Sequence, residues 1–231
     1  MAKSPNRLLA SLPAETFAAI KPHLKDVELA LGDVVAKRGS AVRRVYFPYT
    51  AAISLVVELN IGEMIETAMV GRDGVVNAAS ALDGKISLNK GIVQVAGSAA
   101  IMDVDRLRKI ANEFEPFRSR LIRHEQVLFA QSQQSAACNA SHTVEARMCR
   151  WLLRMRDLAD GDTLTLTQEF LAQMLGVRRP SVSIVANTLQ KAGLIEYRRG
   201  RIRLIDMSGL KTGSCECYNT VRSHFERLLL P

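Results

Sequence analysis

Residues 165–206 read TLTQEFLAQMLGVRRPSVSIVANTLQKAGLIEYRRGRIRLID, and this stretch sets how the chain is organised. Thr167 is a good helix N-cap, with Gln168 and Glu169 in the first turn and Phe170, Leu171, Met174 and Leu175 on an apolar face at helical spacing. Gly176 ends that helix, because a residue without a β-carbon adopts the left-handed geometry of a tight corner. Pro180 falls in the opening turn of a second helix, where its missing N–H costs nothing. Val182, Val185 and Leu189 supply the inner face of the second helix, and Gly193 terminates it. Leu194–Tyr197 and Arg201–Ile205 follow as two short strands around Arg199-Gly200. The pattern predicts a helix-turn-helix with an arginine-tipped hairpin, a wing, beside it.

The charge of the same stretch points to its partner. Between Val177 and Arg203 the basic residues are Arg178, Arg179, Lys191, Arg198, Arg199, Arg201 and Arg203, opposed by Glu196 alone, and the whole chain carries +8. A dense positive field on one compact segment attracts polyanions, nucleic acid first. Arg178 and Arg179 stand where the second helix would present its N-terminal turn to base edges in a major groove. Ser181 and Ser183 can donate to phosphates, and the wing arginines can reach a neighbouring backbone. The expected DNA-contacting set is Gln168, Arg178, Arg179, Pro180, Ser181, Ser183, Ile184, Asn187, Lys191, Arg198, Arg199 and Arg201.

Over the whole chain, 231 residues suggest two domains, and 48% hydrophobic with 23% charged residues is ordinary globular composition. That excludes a disordered chain, a collagen-like repeat and a small disulfide scaffold. The most apolar runs, such as Ala51–Val57 and Leu228–Leu230, fall far short of a bilayer span, and the N-terminus has no secretory pattern. Four cysteines without a regular framework fit a reducing cytoplasm. Pro13, Phe17 and Ile20 give a short helical reading over residues 5–24. From Val27 to about Asp103 the pattern turns to short strands: Val34–Lys37, Val42–Phe47, Ile53–Leu59, Met64–Val70, Ile92–Ala96 and Ala99–Asp103. Turns such as Gly32-Asp33, Asn60-Ile61-Gly62, Gly71-Arg72-Asp73-Gly74 and Asp83-Gly84 separate them. Many short strands with glycine turns argue for a sandwich or small jelly-roll barrel.

From Asp105 a helical period runs to the punctuation at Asp160-Gly161-Asp162, too long for one helix. A break is expected at Cys138-Asn139-Ala140-Ser141, with Ser141 capping the next helix and His142 and Glu145 stabilising its start. The first of these helices could pair with a copy of itself through a seam of Phe117, Leu121, His124, Leu128, Gln131 and Ser135, or pack against its own barrel. The fold class is therefore α+β. An N-terminal helix and jelly-roll-like β-roll (a double-stranded β-helix) occupy 1–113, a long dimerisation helix 114–140, and a winged helix-turn-helix with a C-terminal helix 141–231. Cys215 and Cys217 fall in that last helix, one residue apart, where they point in different directions and would need outside ligands to hold an ion. No metal site is expected. Trp151, with Leu152 and Met155, reads as core.

Thr167–Ile195 and the hairpin after it resemble the winged helix-turn-helix of the Crp/Fnr superfamily of bacterial transcription regulators. The strongest local matches are Leu175–Val182 (L-G-V-x-R-x-S-V) and Leu189–Ile195 (L-x-x-x-G-L-I). The order of helix, β-roll, long helix and DNA-binding domain extends the resemblance over essentially the whole chain, with Leu31–Val35 as its β-roll match. It implies a homodimer on a double-stranded operator, contact with RNA polymerase and a small-molecule effector in the β-roll.

The departures matter as much. Where cyclic-nucleotide-binding members carry a Gly-Glu pair and an Arg-Ser pair, the matching stretches hold Gly71, Asn77 and Ala78, then Lys90 and Gly91. Losing the carboxylate leaves ribose hydroxyls unpaired, and Lys for Arg turns bidentate phosphate recognition into a point charge. Cyclic AMP is accordingly not expected. With no cysteine before Cys138, nor any histidine between 24 and 123, neither an iron–sulfur cluster nor haem is expected. At the family's base-reading positions Arg179 matches the guanine-reading arginine, while Pro180 and Ile184 replace a Glu and an Arg, so the operator should differ from the familiar half-site. An enzyme with an accessory DNA-binding domain is the alternative from another class, and it lacks a nucleophile–base pair or ligand set. A constitutive, ligand-free DNA binder is the third reading.

Overall fold

The computed structural model describes residues 4–60, 62–82, 85–159 and 161–229. The expected turn at Asp83-Gly84 therefore lies outside the described residues, as do Ile61 and Asp160. The chain opens with helices α1 (Arg7–Ala10) and α2 (Ala14–Ile20), which Pro13 starts, and a 3-10 turn at Lys21–His23. Strands β1 (Lys25–Leu29), β2 (Val34–Ala36), β3 (Arg44–Pro48), β4 (Ala52–Glu58) and β5 (Met64–Val70) follow. After the short helix α3 (Ala78–Ala81) come β6 (Lys90–Val95) and β7 (Gly97–Asp103). They form two antiparallel sheets, β1-β7-β3 and β2-β6-β4-β5, the expected β-roll, with β1 an addition to the strands read from sequence. Ile53, Val70 and Val93 close its interior.

Helix α4 (Val104–Glu113) is capped by Asp103, whose carboxylate accepts from the Asp105 and Arg106 amides. Pro116 marks the first turn of α5 (Glu115–Ser141), the long helix. It runs without a break through Cys138-Asn139-Ala140-Ser141. The cap of α6 (Val144–Leu158) is Thr143, not Ser141: the Thr143 hydroxyl accepts from the Ala146 amide at 3.3 Å. The six residues expected as a dimer seam are turned inward instead. Phe117 and Leu121 pack among Leu8, Leu9, Ile20 and Leu107, and Leu128 joins the interior of the roll. His124 is fully buried, its Nε2 accepting from the Val75 amide at 3.2 Å, and Gln131 and Ser135 are buried as well. A period of 3.6 cannot say which neighbour an apolar face meets, and here the β-roll took it. The large apolar residues exposed on α5 are Ile122 and Phe129, the latter 66% exposed.

The chain continues through β8 (Thr163–Thr165), α7 (Gln168–Leu175), α8 (Arg179–Lys191), β9 (Ile195–Arg198), β10 (Arg201–Leu204), α9 (Met207–Gly213) and α10 (Cys217–Leu229). The last helix returns along α5, where Val221 and Phe225 join Val127 and Leu128 against the roll.

Helix α6 welds the two halves together. Trp151, fully buried as expected, sits in one core with Ala52, Val56, Met69 and Ile92 of the roll and Leu171 and Leu175 of α7. Its indole N–H donates to Glu66 Oε1 at 3.0 Å, and the Ser54 hydroxyl donates to the other oxygen. Arg147, Arg150 and Arg154 recur at helical spacing and are all buried. Arg147 donates to the Leu175 carbonyl, while Arg154 pairs with Asp73 at 2.8 Å and lies over the Phe225 ring at 4.4 Å.

Burial pushes the Glu66 carboxyl up to about 7, although Ser54, Arg150, Trp151 and Arg154 all pull the other way. A raised folded pKa adds stability that is complete below the ordinary carboxyl range and is lost as pH rises through about 7. Glu66→Gln should flatten that slope, roughly 3 kcal/mol across the window. Chemical denaturation of both proteins at pH 4.5, 6 and 8 measures it; parallel curves would contradict the buried-acid assignment.

Candidate nucleic-acid interface

The reading head is built by local chemistry. The Thr167 hydroxyl accepts from the Phe170 amide at 3.2 Å and starts α7. Gly176 stops it in the left-handed region, at φ 59 and ψ 44, which lets its N–H and that of Val177 reach back to carbonyls of α7. Arg178 is the N-cap of α8 but makes no side-chain cap, so it stands exposed with Arg179 and Pro180 at the helix start. The inner faces of α7 and α8 meet through Leu171, Leu175, Val182, Ala186 and Leu189. This leaves Arg179, Pro180, Ile184, Asn187 and Lys191 on the solvent side of α8, and Ile184 is 67% exposed.

The wing is a two-residue hairpin. Arg199 and Gly200 both have positive φ, 50 and 75, which matches the twist of the flanking strands. Ile202 and Leu204 point inward while Arg201 and Arg203 point out, and β8 completes a sheet in the order β8-β10-β9. Arg203 is neutralised by Glu196, its Nε donating at 3.1 Å. Arg198, Arg199 and Arg201 are exposed on the same open surface as Glu196, and among the described residues they form no ion pair, since Glu196 is engaged by Arg203.

Ser183 does not stand free for a phosphate as expected. Its hydroxyl donates to Gln168 Oε1 at 2.6 Å, which ties α8 to α7 and commits the Ser183 proton, while the Gln168 Nε2 group keeps its own donors. Ser181 is half-buried in the first turns of α8. Sequence reasoning missed Gln190, whose Oε1 accepts from the Tyr197 amide at 2.7 Å and fixes the wing to the reading helix. A glutamine one residue before the helix end carries no signal of that role without the strand beside it.

The stretches matching the family's phosphate cassette serve packing. A β-carbon on Gly71 would lie 2.6 Å from Leu158 Cβ, and one on Gly74 2.4 Å from His124 Nε2, so this turn is pressed against α6 and α5. Asn77, at φ 73, donates to the Arg44 carbonyl, and Ala78 is fully buried. Lys90 pairs with Glu58 at 3.5 Å, and Gly91 lies against Ala36 and Val35. Asn77 also lines a cleft of about 240 Å³ on the roll, together with Val35, Arg44, Tyr46 and Ser87 among others. Among the described residues no helix is long and apolar enough to cross a membrane.

Residues 146–212 match the family model described as a Crp-like helix-turn-helix domain. No curated protein matches the chain. Solved structures of the same fold include a CRP-family transcriptional regulator from Thermus thermophilus, 22% identical with TM-score 0.68, covering 81% of this chain and 96% of that one. FixK2 from Bradyrhizobium japonicum has 15% identity and TM-score 0.68 over 83% of this chain and 98% of its own.

The unpaired wing arginines should act on any duplex alike. Arg198→Ala and Arg201→Ala should each weaken binding to all sequences and lower the slope of log K against log salt by about 1. Fluorescence anisotropy over a salt series reads this, and a loss confined to one sequence would contradict the phosphate role.

Proposed function

We propose that this chain, which has the Crp/Fnr fold and its Crp-like helix-turn-helix domain, is a sequence-specific, DNA-binding transcription regulator that works as a cytoplasmic homodimer. The observation that carries the reading is the exposed face of α8, with Arg179 at its N-terminal turn and unpaired wing arginines alongside. In this reading α8 enters the major groove and the Arg179 guanidinium donates two bonds to O6 and N7 of a guanine. Pro180 and Ile184 bring no donors, so the bases they face are read by apolar contact, a thymine methyl being the natural partner for Ile184. Arg198, Arg199 and Arg201 neutralise phosphates flanking the groove.

Ile122 and Phe129, one heptad apart on the outward side of α5, support a two-fold pairing of long helices. Two reading helices then sit about one helical turn, roughly 34 Å, apart on a pseudo-palindromic site. A small effector in the β-roll cleft would bias that spacing by moving the roll against α5, and RNA polymerase would be the protein partner on DNA. The packed turn at Gly71–Gly74 supports an effector other than a cyclic nucleotide at the family's usual position. The reading gives the chain no catalytic role.

Arg179→Ala should cost about 1–3 kcal/mol on the preferred site and relax one base position per half-site. Unchanged base preference in a competition assay would overturn the assignment. Phe129→Glu should convert the dimer to a monomer in analytical ultracentrifugation and abolish tight binding to a two-half-site duplex; a dimer that persists would place the seam elsewhere.

A further inference from the structure

Three parts of the chain converge at the foot of the long helix. Cys138 lies in the last turn of α5, and His142 closes that helix. Cys215 lies in the connection from α9 and Cys217 opens α10, so the two cysteines do not share a helix as expected from sequence. Cys138 Sγ is 3.6 Å from Cys215 Sγ, and Cys217 Sγ is 3.6 Å from His142 Nδ1. All four atoms lie within 4.8 Å of one another. Around a tetrahedral zinc with bonds of about 2.3 Å to sulfur and about 2.0 Å to nitrogen, edges are roughly 3.8 Å between sulfurs and 3.5 Å between sulfur and nitrogen. Two edges already have these lengths. The longest needs to close by only about 1 Å.

The surroundings suit an ion as well. Glu216 Oε1 lies 3.2 Å from His142 Nε2, an acceptor placed so that a metal-bound His142 would donate to it from Nε2 and ligate through Nδ1. The Gln134 amide donates to Cys217 Sγ at 3.0 Å. Arg147 and Arg150 lie within electrostatic reach of Cys138. The three sulfur residues are buried and His142 is half-buried.

We propose that Cys138, His142, Cys215 and Cys217 bind one tetrahedral divalent cation of the zinc class. Binding exchanges three thiol protons for the cation and leaves the site at a net charge of −1, which the buried arginines offset. The protein fills every ligand position, so the site is closed and holds structure together instead of activating a substrate. His142 and Thr143 alone separate α5 from α6. An ion here ties that corner to the start of α10 and fixes how the reading head hangs from the long helix. This last consequence rests on the DNA-binding reading, whereas the metal site does not.

The test uses the full-length reduced protein, purified without chelator and without a metal-affinity tag. Elemental analysis should find one zinc per chain. After demetallation, cobalt(II) should restore a one-equivalent site with the intense visible bands and near-ultraviolet sulfur-to-cobalt transitions of a tetrahedral thiolate complex. Cys138→Ser, Cys215→Ser and Cys217→Ser should each weaken cobalt binding, and Glu216→Gln should lower affinity about tenfold or more. Cys149→Ser, which alters a cysteine outside the cluster, should change nothing. Sub-stoichiometric metal together with weak, octahedral cobalt bands in the wild-type chain would overturn the proposal, whether intact mass then shows four free thiols or a Cys138–Cys215 disulfide. The wild-type spectrum decides even if a ligand variant fails to fold. DNA affinity is not read, so failure of the DNA-binding reading leaves this result standing.

Discussion

Everything in this chain hangs on one buried contact, the carboxyl of Glu66 held between Ser54 of the β-roll and Trp151 of α6. Two apolar surfaces can slide past each other at little cost. A buried acid cannot, because its hydrogen bonds are satisfied in one arrangement and an unpaired group in a dry interface is expensive. Arg154 on Asp73 and Arg147 on the Leu175 carbonyl add further fixed points along the same helix face. The roll and the reading head thus share a core, and a change in the roll has a short physical path to α7 and α8 through α6.

At the far end of that path, the reading head combines a shape made by local rules with a charge made by accumulation. The corner at Gly176 and the wing tip at Arg199-Gly200 exist because the backbone there takes positive φ. The field exists because Arg179, Arg198, Arg199 and Arg201 stay unpaired while Arg203 is matched by Glu196. In the proposed reading, base choice and general affinity reside on different elements: α8 carries the first and the wing the second. In that reading an exposed Ile184, where a polar reader could sit, would shift recognition from hydrogen bonding toward apolar fit.

How much of this could be read from the residues follows from how local each feature is. The caps at Thr167 and Gly176, Pro180 in the first turn and the hairpin glycine all act within four residues, and each is legible. So is the β-roll, through its turns and alternating strands, although β1 is missed because Lys25–Leu29 is largely exposed and alternates weakly. Of the two readings of the long helix the structure takes packing against its own barrel, and the sequence alone could not choose, since Phe117, Leu121, His124 and Leu128 mark an inward stripe as well as they would mark a seam. The signal for the outer side was present in Ile122 and Phe129, seven residues apart, but two residues are little to see. Ser183 and Gln168 are donors and acceptors in any sequence; that they satisfy each other depends on how α7 crosses α8. Likewise Cys138, His142 and the Cys215–Cys217 pair come together only when α10 folds back along α5.

Whether a two-fold pair of arginine-led helices reads duplex DNA is decided by selecting binding sites from a random duplex pool with the full-length protein, followed by sequencing. The expected product is an inverted repeat whose half-sites are centred about one helical turn apart, each with an invariant guanine. Enrichment of no motif, or of a single asymmetric element without that guanine, would contradict the pairing and the role of Arg179 together.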